Sequence, residues 1–296
     1  MTAQIEESWR HEYTDNVRLS LQQKTSKLRS KVRTYSPTGS EGYRPELVVG
    51  KAHAQKRNTR YESKTAQELD IDGRWNEPQD YDIGPFYEDS LDKVRNGIGL
   101  SGKYTEAARA GVHREEDDII LEAMFATAKV GKNGSGTPVA FDSSNMRVAA
   151  DSSGLTVAKL TAARAKLMKY EVDLDEEKPI VACTEIQWQN LLADITVVSG
   201  DFNKSQPLPK GVVEEYVGFE FVFFSSNRLT SVVGSDRRCP FWVPSGIELG
   251  TWMEPSMDMR IAKELRGNPV EVYGMFTQGA TRLDEKKVGD IICVES

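Results

Sequence analysis

Cysteine, histidine and long apolar runs are scarce in this 296-residue chain, and each scarcity excludes a class of protein. The three cysteines, Cys183, Cys239 and Cys293, are odd in number and far apart, so a disulfide framework is excluded and a reducing compartment fits best. No apolar run approaches the ~20 residues that span a bilayer. The first ten residues contain Glu6 and Glu7 and no apolar core, so we expect no secretory signal.

Motifs that carry enzyme or metal chemistry are also missing. The three histidines, His11, His53 and His113, are scattered and show no H-E-x-x-H spacing. Gly131–Gly136 lacks the Gly-Lys-Ser/Thr end of a phosphate loop, and Asp173–Glu177 lacks the glycine and terminal glutamate of a calcium loop. We therefore predict no enzyme, no catalytic site, no cofactor and no bound metal.

Charge is unevenly distributed along the chain. The whole sequence carries 38 basic and 45 acidic residues, a net charge of −7. Residues 16–60 contain eleven basic and two acidic residues, a net charge of +9, which leaves −16 for the rest. A basic front and an acidic body favour pairing between subunits or an anionic partner, and a solvated surface segment explains the charge equally well.

Basic residues of this front are the candidate site residues. Lys24, Lys27 and Lys31 would share one face of a helix and could contact nucleic-acid phosphates. Few aromatic residues are interleaved, so base stacking is not indicated. Packing against acidic neighbouring subunits explains the run equally well. The candidates, either intersubunit or DNA-facing, are Lys24, Lys27, Arg29, Lys31, Arg33, Lys56, Arg57 and Arg60.

The first hundred residues do not have the pattern of a compact domain. Loose apolar spacing from Ser8 to Arg29 predicts one amphipathic helix whose stripe is too small to fold alone. Glu46–Gly50 is a strand candidate, and Asp72-Gly73 is typical of a hairpin turn. We expect an arm and a long extended loop whose apolar groups contact other segments, with disorder of the isolated segment as the alternative.

The body, from about Ser101, has an α+β pattern. Helices are predicted at Thr105–Lys129 and Thr156–Tyr170, and the capping-box pattern Thr184–Gln187 opens a third helix. The acidic run His113–Asp118 is interpreted as a hydrated helix face. The predicted strands are Ile180–Cys183, Val217–Phe223, Arg238–Val243, Ile247–Met253, Val270–Thr281 and Ile291–Glu295.

Several strings, in this order, resemble the major capsid proteins of tailed bacteriophages with the Hong Kong 97-type fold. The resemblance spans nearly the whole chain, and its force lies in the order of the strings, since none is a catalytic signature. The strings are Leu21–Arg29 (arm), Ala54–Arg60 and Arg74–Asp82 (extended loop), Asp117–Ile120 and Phe125–Lys129 (spine helix), Gly154–Lys159 (next helix), and Arg237–Trp242, Gly279–Val288 and Ile291–Glu295 (C-terminal strands).

The resemblance implies an α+β Hong Kong 97-like capsid fold with five parts. These are an N-terminal arm at 1–30, an extended loop (E-loop) at 31–84, a peripheral (P) domain with the spine helix at 85–133, an axial (A) domain at 134–255, and returning strands of both domains at 256–296. It also implies pentamers and hexamers of this protein that close an icosahedral phage head around double-stranded DNA, which is packaged without sequence specificity.

Further partners follow from the same resemblance. They are a separate scaffolding protein, a portal and decoration proteins, with no membrane, assembly in the host bacterial cytoplasm and a final place in the virion. Two alternatives stay open: an encapsulin-like compartment shell with the same fold, and, from a different class, a nucleic-acid-binding module that uses the basic arm. The acidic body disfavours the second alternative.

Overall fold

A computed structural model of the chain describes residues 23–39, 41–54, 56, 58–60, 66–89, 101–193, 215–232, 234 and 236–295. The chain divides into two compact units. Unit 1 contains the described residues of 1–26, 79–116 and 253–278, and unit 2 contains those of 27–78, 117–252 and 279–296. Helices and strands are mixed in both units, in agreement with the predicted α+β class.

The helices follow the apolar periodicity closely. Helix α1 starts four residues before the predicted Thr105 and ends at Phe125, four residues before Lys129. The Thr156 side chain caps α3 by accepting the Lys159 N–H at 3.4 Å. Thr184 caps α4, accepting the Gln187 N–H at 3.3 Å, which confirms the predicted cap. The described α-helices are α1 Ser101–Phe125, α2 Ser143–Met146, α3 Val157–Lys169 and α4 Glu185–Ala193.

Strands are longer and more numerous than the period-2 pattern predicts. The described strands are β1 Arg33–Tyr35, β2 Glu46–Val49, β3 Asp70–Trp75, β4 Gln79–Glu88, β5 Lys129–Val130, β6 Arg147–Val148, β7 Ile180–Thr184, β8 Glu215–Tyr216, β9 Phe219–Phe224, β10 Asp236–Trp242, β11 Ile247–Ile261, β12 Val270–Arg282 and β13 Val288–Val294. The predicted turn at Asp72-Gly73 is wrong, because both residues lie inside β3 and pair with β2.

The predicted arm helix is wrong at its C-terminal end. Residues 23–28 are not helical, and a short 3-10 turn, Arg29–Lys31, follows them. Lys24, Lys27 and Lys31 therefore do not share a helix face. The rest of the predicted helix, with His11, lies outside the described residues.

The core of unit 2 is a six-stranded mixed sheet with the strand order β6-β13-β10-β7-β9-β8. Strands β7 and β9 run parallel, and β10 runs antiparallel to both β7 and β13. Buried residues of α3 (Leu160, Ala163, Leu167) and Leu191 of α4 belong to the same apolar cluster as Phe219 and Phe241 of the sheet. The aromatic segment 216–252 thus supplies much of this core.

Unit 1 is a smaller layer in which the first part of α1 covers one face of a sheet. Strand β12 pairs antiparallel with β4, from Val270 opposite Glu88 to Gln278 opposite Gln79. Phe276 and Tyr81 stack with ring centroids 5.0 Å apart, and Phe86 and Tyr104 stack at 5.9 Å. Gly111 of α1 lies against Ile83, so the helix packs closely on the sheet.

Candidate assembly surface

The start of the described arm is held by a buried carboxylate on α1. Asp117 is buried, and its Oδ1 accepts the backbone N–H groups of Lys27 and Leu28, both at 3.0 Å. Its Oδ2 accepts the Lys27 N–H as well, at 3.1 Å. The Leu28 side chain is buried beside it. The interpretation of residues 113–118 as a hydrated acidic face is therefore wrong for Glu116 and Asp117, which are both buried, and holds for exposed Asp118.

The residues that follow stay attached to unit 2, and we call Lys27–Tyr35 the docked segment. The indole N–H of Trp242 donates to the Lys31 carbonyl at 2.9 Å. Val32 is buried. The segment then forms β1, which runs parallel to β11 with Arg33 opposite Glu248. Backbone pairing, two apolar anchors and one buried carboxylate together fix this part of the arm.

Basic candidates of the arm pair with carboxylates of their own chain. Lys24 forms an ion pair with Glu106 at 2.7 Å, and its hydrogen bond is the main reason that the pKa of Glu106 lies below its usual value. Lys31 pairs with Glu220. Arg33 lies 3.3 Å from Glu248, whose side chain is buried. The Lys24–Glu106 and Lys31–Glu220 pairs are exposed to solvent, so they neutralise charge within the subunit more than they stabilise it.

Lys27 and Arg29 differ from these pairs. The Lys27 ammonium donates to the Phe223 carbonyl and lies 5.3 Å from the centre of the Phe224 ring. Burial lowers the pKa of Lys27, with the charge of Asp117 acting in the opposite direction. Arg29 lies half-buried in the 3-10 turn. These two residues thus also belong to the surface between the docked segment and the body.

The basic candidates of the loop lie in a different setting. Lys56 and Arg60 are exposed, and Arg57 lies outside the described residues. Among the described candidates, Lys24, Lys27, Lys31 and Arg33 therefore contact their own subunit, and Lys56 and Arg60 are exposed. Their predicted intersubunit or DNA-facing role stays a prediction.

The root of the loop is rigidly built, which the sequence did not reveal. Arg74 is buried and binds Glu285 (2.8 and 3.3 Å) and Asp72 (2.7 Å) through its guanidinium. Asn76 is also buried, and its amide donates to the Gly279 carbonyl at 3.1 Å. Backbone hydrogen bonds join Tyr43 and Asn76 in both directions, at 2.9 and 3.0 Å. The two ends of the loop are therefore fixed side by side.

Above this root, β2 and β3 expose apolar side chains, and we call these two strands the β2–β3 ribbon. Strand β5 completes a three-stranded sheet by pairing with β3 at Arg74 and Trp75. Val48 lies opposite Ile71, and Val49 lies opposite Asp70. Val48 is 65% exposed and Ile71 is 59% exposed. An isolated hairpin is marginally stable in water, and paired aliphatic side chains this exposed mark a contact surface. The Val48-Val49 strand was visible in the sequence, but its partner β3 was interpreted as a turn.

Unit 1 has an apolar surface of its own at the distal ends of β11 and β12. Met259 and Ile261 of β11, Leu265 of the following turn and Met275 of β12 are exposed. Arg260 between them pairs with Glu271 at 2.7 Å and Glu264 at 3.1 Å. Such a mixed apolar and ion-paired tip has the composition of an interface rim.

Reactive side chains outside these surfaces are engaged in packing. The three cysteines are buried and unoxidised, and burial raises the pKa of the Cys183 thiol well above its usual value. His113 lies 3.0 Å from the buried carboxylate of Glu116, which also accepts a 2.7 Å hydrogen bond from Gln278.

Across the described ranges, no group of three or more His, Cys, Asp or Glu side chains is arranged to hold a metal ion. None of the helices in the described part is long and apolar enough to cross a membrane.

Comparisons with known proteins bear on the family and the fold of the chain. A family model described as phage capsid protein matches residues 5–295. The capsid of cyanophage Pam1 is similar in structure, with a TM-score of 0.73 at 13% identity, covering 97% of each chain. The capsid of cyanophage P-SCSP1u matches with a TM-score of 0.72 at 12% identity, covering 99% of this chain and 95% of that one.

A third capsid, that of the Helicobacter pylori bacteriophage KHP30, matches with a TM-score of 0.71 at 10% identity, covering 99% of this chain and 98% of that one. No curated protein matches the chain. At this level of identity the structural matches establish the fold, which confirms the predicted Hong Kong 97-like class.

Proposed function

Because the chain belongs to the phage capsid protein family and is a major capsid protein of a phage head, we propose that its copies form the pentamers and hexamers of an icosahedral shell around double-stranded DNA. Rings of one subunit use heterologous contacts, in which two different surfaces of the same chain meet. The exposed β2–β3 ribbon is the observation that supports this proposal most strongly. It offers one such surface on each copy.

The ribbon has the physical properties that an assembly contact needs. Buried Arg74 and Asn76 fix the root of the ribbon. The ribbon is therefore ordered before a neighbour binds, and binding does not cost the entropy of ordering it. Full burial of an aliphatic side chain contributes about 1.5–3 kcal/mol. Val48 and Ile71 retain about three-fifths of their exposure, so covering them contributes about 1–2 kcal/mol each. Repeated once per subunit, contacts of this size stabilise a shell.

The division into parts and the other partners belong to this proposal. We assign an arm to 1–30, an E-loop to 31–84, a P domain to 85–133, an A domain to 134–255 and returning strands to 256–296. A separate scaffolding protein, a portal and decoration proteins act with the chain, and DNA is bound without sequence specificity. Assembly takes place in the host cytoplasm, and the role of the protein is structural and not enzymatic.

Charged substitutions on the ribbon test the proposal. Val48→Asp and Ile71→Asp place a carboxylate where a neighbour would bury a methyl group, and we expect each to abolish closed shells seen by electron microscopy. The matched control is Asp70→Ser, which changes an exposed polar side chain of the same ribbon. Normal shells from both aspartate variants would show that the ribbon is not an assembly contact. A wild-type chain that stays monomeric, with or without co-produced scaffold, would refute the shell itself.

A further inference from the structure

We propose that Asp117 is a positioning residue of shell assembly. Its carboxylate fixes the backbone of Lys27 and Leu28, where the docked segment begins on the body of each subunit. The inference rests on the proposed assembly function and adds to it a specific residue on the spine helix. Asp117 contacts the backbone of the arm, so its effect on other subunits is exerted through the arm.

The contact depends on the orientation of the backbone as well as on the burial of side chains. One carboxylate accepts N–H groups from two consecutive residues, Lys27 and Leu28, at 3.0–3.1 Å. Two consecutive N–H groups converge on one anion only when the peptide planes are correctly oriented. An apolar residue at position 117 could bury Leu28 as well, but it would leave the direction of the chain unspecified.

The turn that follows Lys27 and Leu28 has no side-chain cap at its N-cap position. Lys27 and Leu28 lead into this 3-10 turn, Arg29–Lys31. Free N–H groups at the start of a helical turn need an acceptor. Asp117, 89 residues further along the chain, provides that acceptor.

Because Asp117 is buried, its carboxylate requires hydrogen-bond partners. A buried carboxylate is costly unless it is hydrogen-bonded and faces compensating charge. Here the Lys27 ammonium is a favourable electrostatic partner, and the two arm N–H groups are hydrogen-bond partners. An undocked arm would remove all three of these partners from Asp117, so docked and undocked states are well separated in free energy.

The fixed start of the docked segment matters for a shell because the same subunit is repeated many times. Because ring-closing contacts must repeat identically around the shell, every copy has to present the docked segment in the same geometry.

The test compares Asp117→Asn with Asp118→Asn in the full chain. Both variants remove one charge from neighbouring positions of α1, but Asp118 is exposed and pairs with Arg228. In unassembled subunits, we expect hydrogen exchange at the Lys27 and Leu28 amides to accelerate at least tenfold in Asp117→Asn and to be unchanged in Asp118→Asn. Circular dichroism checks that the body is folded. Under those conditions Asp117→Asn should give irregular or open particles by electron microscopy, and Asp118→Asn should give uniform shells.

A second pair of variants tests the same contact from the side of the arm, in case Asp117→Asn does not fold. Lys27→Pro removes the N–H that Asp117 binds, whereas Lys27→Ala removes only the side chain. Because the alanine variant loses the ammonium but keeps both backbone N–H groups, we expect a larger fraction of irregular particles from the proline variant than from the alanine variant. Identical particles from these two would overturn the inference.

The remaining outcomes separate this inference from the shell proposal. Uniform shells from Asp117→Asn would refute positioning by Asp117, whatever the amides do, and unchanged exchange at Lys27 and Leu28 would refute the contact itself. A wild-type chain that forms no shells contradicts the proposed function. Wild-type shells together with a normal Asp117→Asn particle contradict only the role of Asp117.

Discussion

Replacing Lys159 with methionine tests whether a buried ammonium organises the turn between β6 and α3. Lys159 lies on α3 and is buried. Its three N–H groups donate to the carbonyls of Ala150, Ser153 (2.8 Å) and Ile292 (3.0 Å), so its donor capacity is filled. Between the first two carbonyls, Asp151 and Ser152 both adopt positive φ values, 48° and 52°. The ammonium thus joins a strained turn to β13.

The expected cost follows from what each carbonyl keeps after the substitution. A charged hydrogen bond contributes about 1.5–3 kcal/mol, so three independent bonds would give more than about 4.5 kcal/mol. The Ala150 carbonyl still accepts the Ser153 N–H at 3.1 Å, and the Ser153 carbonyl still accepts the Val294 N–H at 3.0 Å. The methionine also avoids the desolvation of an ammonium. We therefore expect Lys159→Met to lower the free energy of unfolding by about 2–3 kcal/mol.

Urea unfolding of the unassembled chain, followed by tryptophan fluorescence, measures this loss. The matched control is Lys166→Met on the same helix, because Lys166 makes one exposed hydrogen bond, to the Asn145 carbonyl at 2.6 Å. We expect the control to change stability by less than about 1 kcal/mol. The reasoning fails if the free energy of unfolding of Lys159→Met lies within about 0.5 kcal/mol of the wild-type value and both depend equally steeply on urea concentration. The three carbonyl contacts would then merely offset the cost of burying the ammonium.

Two further predictions concern the charged groups of unit 2. Arg282 is buried and donates to the carbonyls of Met124 (2.7 Å), Ala126 (2.9 Å) and Val139 (3.2 Å). Because one lysine nitrogen cannot reach all three carbonyls, Arg282→Lys should lower the free energy of unfolding in urea by about 2–4 kcal/mol. A loss no larger than that of exposed Arg266→Lys would contradict this. The hydrogen bond from Lys286 holds the pKa of Asp142 below its usual range, so its stabilisation is present above the unfolded pKa of about 4 and is lost as pH falls through the folded pKa. The wild type should therefore exceed Lys286→Gln in stability by about 0.5–1 kcal/mol at pH 6, and the difference should shrink steadily as the pH falls below about 4; a difference that does not change with pH would exclude this pair as its source.

Elements with a local signal could be predicted from the sequence, and elements defined by distant pairing could not. Helix α3 matches its prediction because apolar spacing and the Thr156 cap are both local. Strand β4 mixes acidic and aromatic residues and contains Gly84 and Pro85, and its pairing with β12 could not be read from either segment alone. The pair Asp72-Gly73 has turn chemistry, but β2 pairs across it and Arg44 covers Gly73, so the chain stays extended there.

The side-chain contacts of the candidate site were equally hard to predict from the sequence. A count of charges identified the basic front, but it could not show which charges are already paired. Glu106 and Glu220 lie 82 and 189 residues from their lysine partners. Asp117 has the sequence context of an exposed acidic run, and only the docking of Leu28 beside it makes it a buried residue. The Val48-Val49 pair was visible as a strand, whereas its exposure depends on the position of β3.

These pairings change the meaning of the charge split between front and body. The +9 of residues 16–60 suggested an arm attracted to the acidic surfaces of other subunits. In the folded chain Lys24, Lys31 and Arg33 each pair with a carboxylate of their own subunit, which removes them from long-range attraction. Their effect is to hold the arm at its root, together with Asp117. In the proposed shell, the attraction between copies depends on apolar contact at the β2–β3 ribbon and on the exposed charges of the loop, Lys56 and Arg60. The two segments thus differ physically: the docked segment is held by polar contacts within its subunit, and the β2–β3 ribbon exposes apolar side chains.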